Sequence, residues 1–90
     1  MWVCDMNVNP RISVALLRSF WQRGLCAPGC AVVLSFKNFC GSRQGWAAER
    51  EAQRIALGEM CGAEEPREFH LLANGQGERT VILTLRAFGD

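Results

Sequence analysis

The period of the apolar residues switches along this chain from helical to alternating, back to helical, and to alternating again, and few folds accommodate that order. Between Asn9 and Gly24, Ile12, Leu16, Leu17, Phe20 and Trp21 recur at helical spacing, which predicts an amphipathic helix. Asn9-Pro10 offers an N-cap and a first-turn proline, and Gly24 offers a stop. Over residues 31–39 the period drops to two. Val32, Leu34 and Phe36 face one way, and Val33, Ser35, Lys37 and Phe39 the other, so a strand buried on at least one side is expected.

Residues 46–61 return to a helical pattern, with Ala48, Ala52, Ile55 and Ala56 on one face and Gly62 as the stop. Side chains that small would let the helix approach a sheet closely. Residues 68–73 and 79–88 then alternate on either side of Asn74-Gly75-Gln76-Gly77, a connection of hairpin type. In the last strand Val81, Leu83, Leu85 and Ala87 share one face, and Thr80, Ile82, Thr84, Arg86 and Phe88 the other. Residues 2–8 are expected to form a further short strand, without which the order would be α-β-α-β-β. The order β-α-β-α-β-β, ending in a hairpin, predicts an α/β (α+β) two-layer domain. Its mixed or antiparallel sheet of three to four strands carries two helices on one face.

Ninety residues suit a single domain over 1–90, whose folding hides only about 60–65% of the unfolded surface. That leaves little room for a deep cleft. No repeat or linker divides the chain, and no run approaches the roughly 18 apolar residues of a membrane helix. The start lacks a basic region followed by an apolar stretch. A cytoplasmic protein with no membrane partner is therefore expected. The five cysteines, odd in number, fit reduced thiols better than a disulfide framework.

The net charge of +1 hides an uneven split: residues 1–45 carry +4 and residues 46–90 carry −3. Nine of the ten basic residues are arginines, suited to bidentate contacts with carboxylate or phosphate. Arg11 and Arg18, seven apart, share one face of the first helix, and Arg23, Lys37 or Arg43 could join them in a basic patch. Trp2, Trp21 and Trp46 are many large aromatics for a small core. Trp46, opening its helix beside a turn, is expected to be partly exposed, as an interface anchor would be.

Catalytic and metal patterns are incomplete. Cys26 and Cys30 have the spacing of a zinc knuckle, but Cys40, Cys61 and His70 are scattered, and a structural zinc site needs four ligands. Cys40 or Cys61 with His70 as base would lack an orienting acid. The segment from Gly41 to Ala47 joins a strand to a helix, where backbone amides can hold a phosphate, yet it matches no phosphate-loop spacing. An ordinary turn with Ser42 near a cap position is the simpler account.

The expectation is thus a non-enzymatic binding protein without cofactor, an accessory or inhibitor of a larger protein or ribonucleoprotein. Phage and mobile-element antagonists of bacterial defence, anti-CRISPR proteins included, are often compact chains of this type. Its contact residues would be Arg11, Arg18, Arg23, Lys37, Arg43 and Trp46. A small nucleic-acid-binding domain using the arginine face and a cysteine-based zinc module are the alternatives. The last strand, if it is a sheet edge, would permit a homodimer.

Overall fold

A computed structural model describes residues 1–5, 8–62, 64–70 and 77–89. The elements are β1 (Trp2–Cys4), α1 (Pro10–Gln22), β2 (Ala31–Phe36), α2 (Arg43–Gly58), β3 (Arg67–Phe69) and β4 (Arg79–Thr84). They form a four-stranded mixed sheet in the order β1-β2-β4-β3. β1 runs parallel to β2, while β4 lies antiparallel to both β2 and β3. The expected element order and α+β class are found.

Both helices cross between parallel strands, α1 from β1 to β2 and α2 from β2 to β3, and both crossings move the same way across the sheet. Parallel crossovers share one hand, so two crossings in one direction put both helices on the same face. Beneath them, Cys4, Val32, Leu34, Phe36, Val81, Leu83 and Leu85 meet Val14, Leu17, Trp21, Trp46, Leu57 and Met60 in one buried cluster.

Local chemistry sets the ends of α1. The Asn9 side chain accepts from the Arg11 amide at 3.0 Å, and Pro10 takes the first helical position. At the other end Gly24, at φ +71°, and Leu25 donate back to the carbonyls of Trp21 and Phe20. That is a Schellman closure, and its left-handed residue favours glycine. The buried stripe is Pro10, Ser13, Val14, Leu17 and Trp21, one step around from the expected one. Ile12 is 49% exposed and Leu16 only half-buried.

The turn from Ala27 to Cys30 has Pro28 at its second position and Gly29 at φ +82°, with the Cys30 amide donating to Ala27. This is the type II pattern. The Gly29 amide also donates to the Leu85 carbonyl and the Leu85 amide to that of Cys30, which fastens the turn to the end of β4.

Several expected boundaries shift for physical reasons. β2 stops at Phe36 rather than at 39, because Lys37 is drawn into ion pairs with Asp5 and Glu78 and the Asn38 side chain accepts from the Cys40 amide. α2 begins at Arg43, three residues before the expected start, because Ser42 is a working N-cap: its hydroxyl accepts from the Gly45 amide at 3.0 Å. It ends at Gly58 because Cys61 bridges to Leu85 and the Gly62 amide donates to Thr84, drawing the chain onto the sheet. β4 ends at Thr84 instead of 88, and β1 is three residues long. β3 starts one residue early; positions 71–73 of that expected strand and the connection 74–76 lie outside the described residues.

The expected face of α2 is not the buried one. Ala48 and Ala52 are exposed and Ile55 is 58% exposed, whereas Trp46 and Leu57 are buried. At roughly 25 cal/mol per Å² of apolar surface, a stripe holding Trp and Leu outweighs one of alanines. Trp46 itself, expected to be partly exposed, is only 5% exposed. β4 lies inside the sheet between β2 and β3, so the last strand is not an edge. The edges are β1 and β3, each three residues long.

Candidate functional site

The inward stripe of α2 runs Trp46, Arg50, Gln53, Leu57, at spacings of four, three and four, which puts one arginine in line with core residues. Arg50 is tolerated there because its guanidinium lies 5.4 Å over the Trp46 ring and its Nη1 reaches the Glu68 carboxylate of β3 at 3.2 Å. Arg79 arrives by a different route. It pairs in register with Phe36, on the sheet face that the helices cover.

Together with Arg43 at the start of α2, these residues border a cleft of about 490 Å³, lined by Asn38, Arg43, Trp46, Ala47, Arg50, Gly77 and Arg79. Gly77 sits at φ +82°, and a Cβ there would come within 3.1 Å of the Asn38 side chain. The positive φ and the close Asn38 side chain both favour glycine at that point. Arg79 donates to the Glu78 carbonyl at 2.7 Å. Among the described residues, the Trp46 Nε1 and the Arg50 Nε are buried without a hydrogen-bond partner, and such groups carry a desolvation cost of about 1–3 kcal/mol.

The charges on α2 oppose what its dipole favours. Its first turn holds no acid and its last turn no base; Arg43 stands at the positive end and Glu59 caps the negative end. Beyond it, Glu59, Glu64 and Glu65 border a second cleft of about 400 Å³ with Arg54. Each such placement forgoes about 0.3–1 kcal/mol that the reverse charge would contribute. At the far end cations from elsewhere compensate, since Arg18 donates to the Ala56 carbonyl and to Glu59, and Arg86 to the Glu59 carbonyl; Arg43 stands uncompensated by any acid of its own turn.

The expected contact residues do not converge. Arg11 is exposed in the first turn of α1. Arg18 ties the helices together, bonded to Glu59 at 2.9 Å and to the Ala56 carbonyl at 3.3 Å. Lys37, its side chain 19% exposed, lies between Asp5 at 3.1 Å and Glu78 at 3.3 Å. The bond to Asp5 holds the lysine above its ordinary value of 10.5 and the carboxyl below its ordinary 3.8. Arg23 borders a separate cleft of about 440 Å³ with Trp21, Cys26, Pro28 and Phe88, just before β2. Arg43 belongs to the cleft after β2 ends, so Arg23 and Arg43 stand at opposite ends of that strand. Arg43 and Trp46 alone of the six meet in one cleft, where Arg50 and Arg79 join them.

Arg50 was within reach of sequence reading, since Trp46, Arg50, Gln53 and Leu57 share a helical face. The larger apolar residues should have decided which face turns inward. Arg79 falls by alternation on the same face as Val81 and Leu83, but only its pairing with Phe36 shows that this face lies under α2 beside Arg50.

The cysteines are dispersed. Cys26 and Cys30 flank the turn before β2 and Cys40 follows the strand, so the proposed zinc ligands lie at its two ends. Among the described residues no three His, Cys, Asp or Glu are placed to hold a metal. Burial pushes the Cys61 thiol above its ordinary value, and burial and then Cys30 do the same to Cys26, which disfavours the thiolate. Cys61 faces Leu85, whereas His70 follows Phe69, which faces Thr80. About 16 Å of strand separates those two positions.

The arginine-lined cleft contains no Cys, His, Ser, Tyr, Asp or Glu among its lining residues. Its described lining offers an oxyanion the guanidinium groups of Arg43 and Arg79, beside an Arg50 already paired with Glu68, and these described residues include no nucleophile. No helix among the described residues is long and apolar enough to cross a membrane. Compared with known proteins, the chain matches no family model, no curated protein and no solved structure.

Proposed function

We propose that the protein is a small non-enzymatic binding protein that engages a larger protein or ribonucleoprotein through the basic end of α2. The observation that carries this is the convergence of Arg43, Arg50 and Arg79 on one cleft whose described lining has the chemistry to hold an anion. Arg43 at the positive end of α2 adds support, since departures from a local stability rule concentrate at functional positions. An accessory or inhibitory role, including antagonism of a bacterial defence complex of the anti-CRISPR type, needs only such a surface on a rigid scaffold. Exchange of Arg43 and Arg79 for alanine in the tagged chain tests this. Capture from cells of the source organism, with crosslinks mapped by mass spectrometry, should return a partner joined near the cleft by the wild type and lost by the variant. A partner held equally by both would move the interface elsewhere.

A further inference from the structure

We infer that the arginine-lined cleft at the start of α2 is a carboxylate site that seats an acidic segment of a protein partner. This rests on the binding role proposed above and names the chemistry the cleft recognises. Its volume of about 490 Å³ lies in the range of clefts that enclose a small ligand or a few side chains. One wall already shows the pairing in question, because Arg50 holds the Glu68 carboxylate at 3.2 Å. Arg43 presents a further guanidinium fork, and Arg79, whose Nη1 is held by the Glu78 carbonyl, adds its remaining donors; such planar donor pairs match a carboxylate.

The start of the helix adds donors beside Arg43. Ser42 satisfies the Gly45 and Trp46 amides, leaving the Arg43 and Gln44 amides as the first-turn groups that the helix cannot pair internally.

Carboxylate is favoured over nucleic acid by two observations. A strand of nucleic acid presents a phosphate every few ångströms and needs a basic track. Here Arg18 and Lys37 are occupied by ion pairs, and Arg23 stands at the far end of β2. Stacking of bases also needs an exposed aromatic face, and among the described residues the aromatic that borders the cleft, Trp46, is buried.

Fluorescence anisotropy on the full chain tests the assignment, with a labelled oligoglutamate peptide, an oligothymidylate of equal length and an oligoserine control. The peptide should bind more tightly than either of the others. R43A/R79A should weaken it by at least about tenfold, and R43K/R79K, which keeps the charges and loses the forks, by about threefold. Circular dichroism confirms that each variant is folded, and the lysine pair carries the test if the alanine pair is not. Tighter binding of oligothymidylate overturns the inference in favour of nucleic acid. Absent peptide binding, or binding unchanged in both variants, overturns it outright. If the peptide fails while a captured partner still depends on Arg43 and Arg79, the carboxylate assignment falls and the binding role stands; if the partner is indifferent too, both fall.

Discussion

At the scale of single residues, charged side chains are divided between those that build the fold and those left to act. Lys37 belongs to the first group. Its ammonium bridges Asp5, just after β1, and Glu78, just before β4, so it ties two connections to the end of β2. The Asp5 carboxyl is held below 3.8 by hydrogen bonds from Lys37 and then Ser35. A lowered folded-state value contributes stability above the unfolded pKa of about 3.9, and the contribution disappears as pH falls through the folded value. Lys37 is raised above 10.5, so its share is full below the unfolded pKa of about 10.4 and disappears as pH rises through the folded value. The pair thus contributes evenly across the neutral range. Because Asp5 is 68% exposed, Asp5→Asn should cost only about 0.2–1 kcal/mol at neutral pH. It should also shrink the difference between urea midpoints measured at pH ~7 and ~3. Acid sensitivity identical to the wild type would remove Asp5 from this role.

Trp21 shows how a residue can be predicted as core while its partners stay hidden. Its place on the apolar stripe of α1 is legible from spacing. Its Nε1 donates to the Arg86 carbonyl at 2.7 Å, the Arg86 guanidinium lies 5.0 Å from the ring, and Phe88 meets it edge-on at 4.9 Å. Those three contacts come from the residues that follow β4, sixty-five or more positions along the chain. No local pattern encodes a pairing at that separation.

Among the elements, α2 is where stability and the recognition proposed for this protein pull in opposite directions. Arg43 occupies its first helical position, at the positive end of the dipole and beside Arg50 and Arg79. Arg43→Glu should therefore raise stability by about 0.3–1 kcal/mol at low ionic strength. High salt should erase most of the gain, and the same change should abolish anion binding by the cleft. Thermal denaturation at two salt concentrations measures the first effect. A melting temperature equal to or below the wild type at low salt would show that the dipole is not opposed. Gly77, across the cleft, has the opposite character. Gly77→Ala must adopt φ +82° and push against Asn38 at 3.1 Å, so a loss of about 1–2 kcal/mol is expected in urea denaturation. An unchanged midpoint would mean that the loop relaxes freely.

Taken as a whole molecule, one buried cluster draws on both helices and on β1, β2 and β4. Trp21 and Trp46 lie in it from different helices, so tryptophan emission and far-UV ellipticity should report one transition with coincident midpoints. A urea slope of about 1 kcal/mol per molar suits the size. Two separated transitions would show that the helices come away independently. The two clefts are lined from successive stretches of α2, the arginine-lined one from residues 43–50 and the one bordered by Glu59, Glu64 and Glu65 from residues 54–58 and the chain that follows.

The sequence by itself determined the succession of elements, the caps at Asn9 and Ser42, and the turn through Pro28 and Gly29. Each depends on backbone geometry and hydrogen bonds within a few residues. Only the tertiary structure decided that β4 slots between β2 and β3, that α2 turns Trp46 and Leu57 inward in place of its alanines, and that Arg50 and Arg79 join Arg43 around one cleft. Those outcomes depend on which surfaces bury most apolar area together and on pairings between distant strands. A pattern of local periodicity carries no term for either.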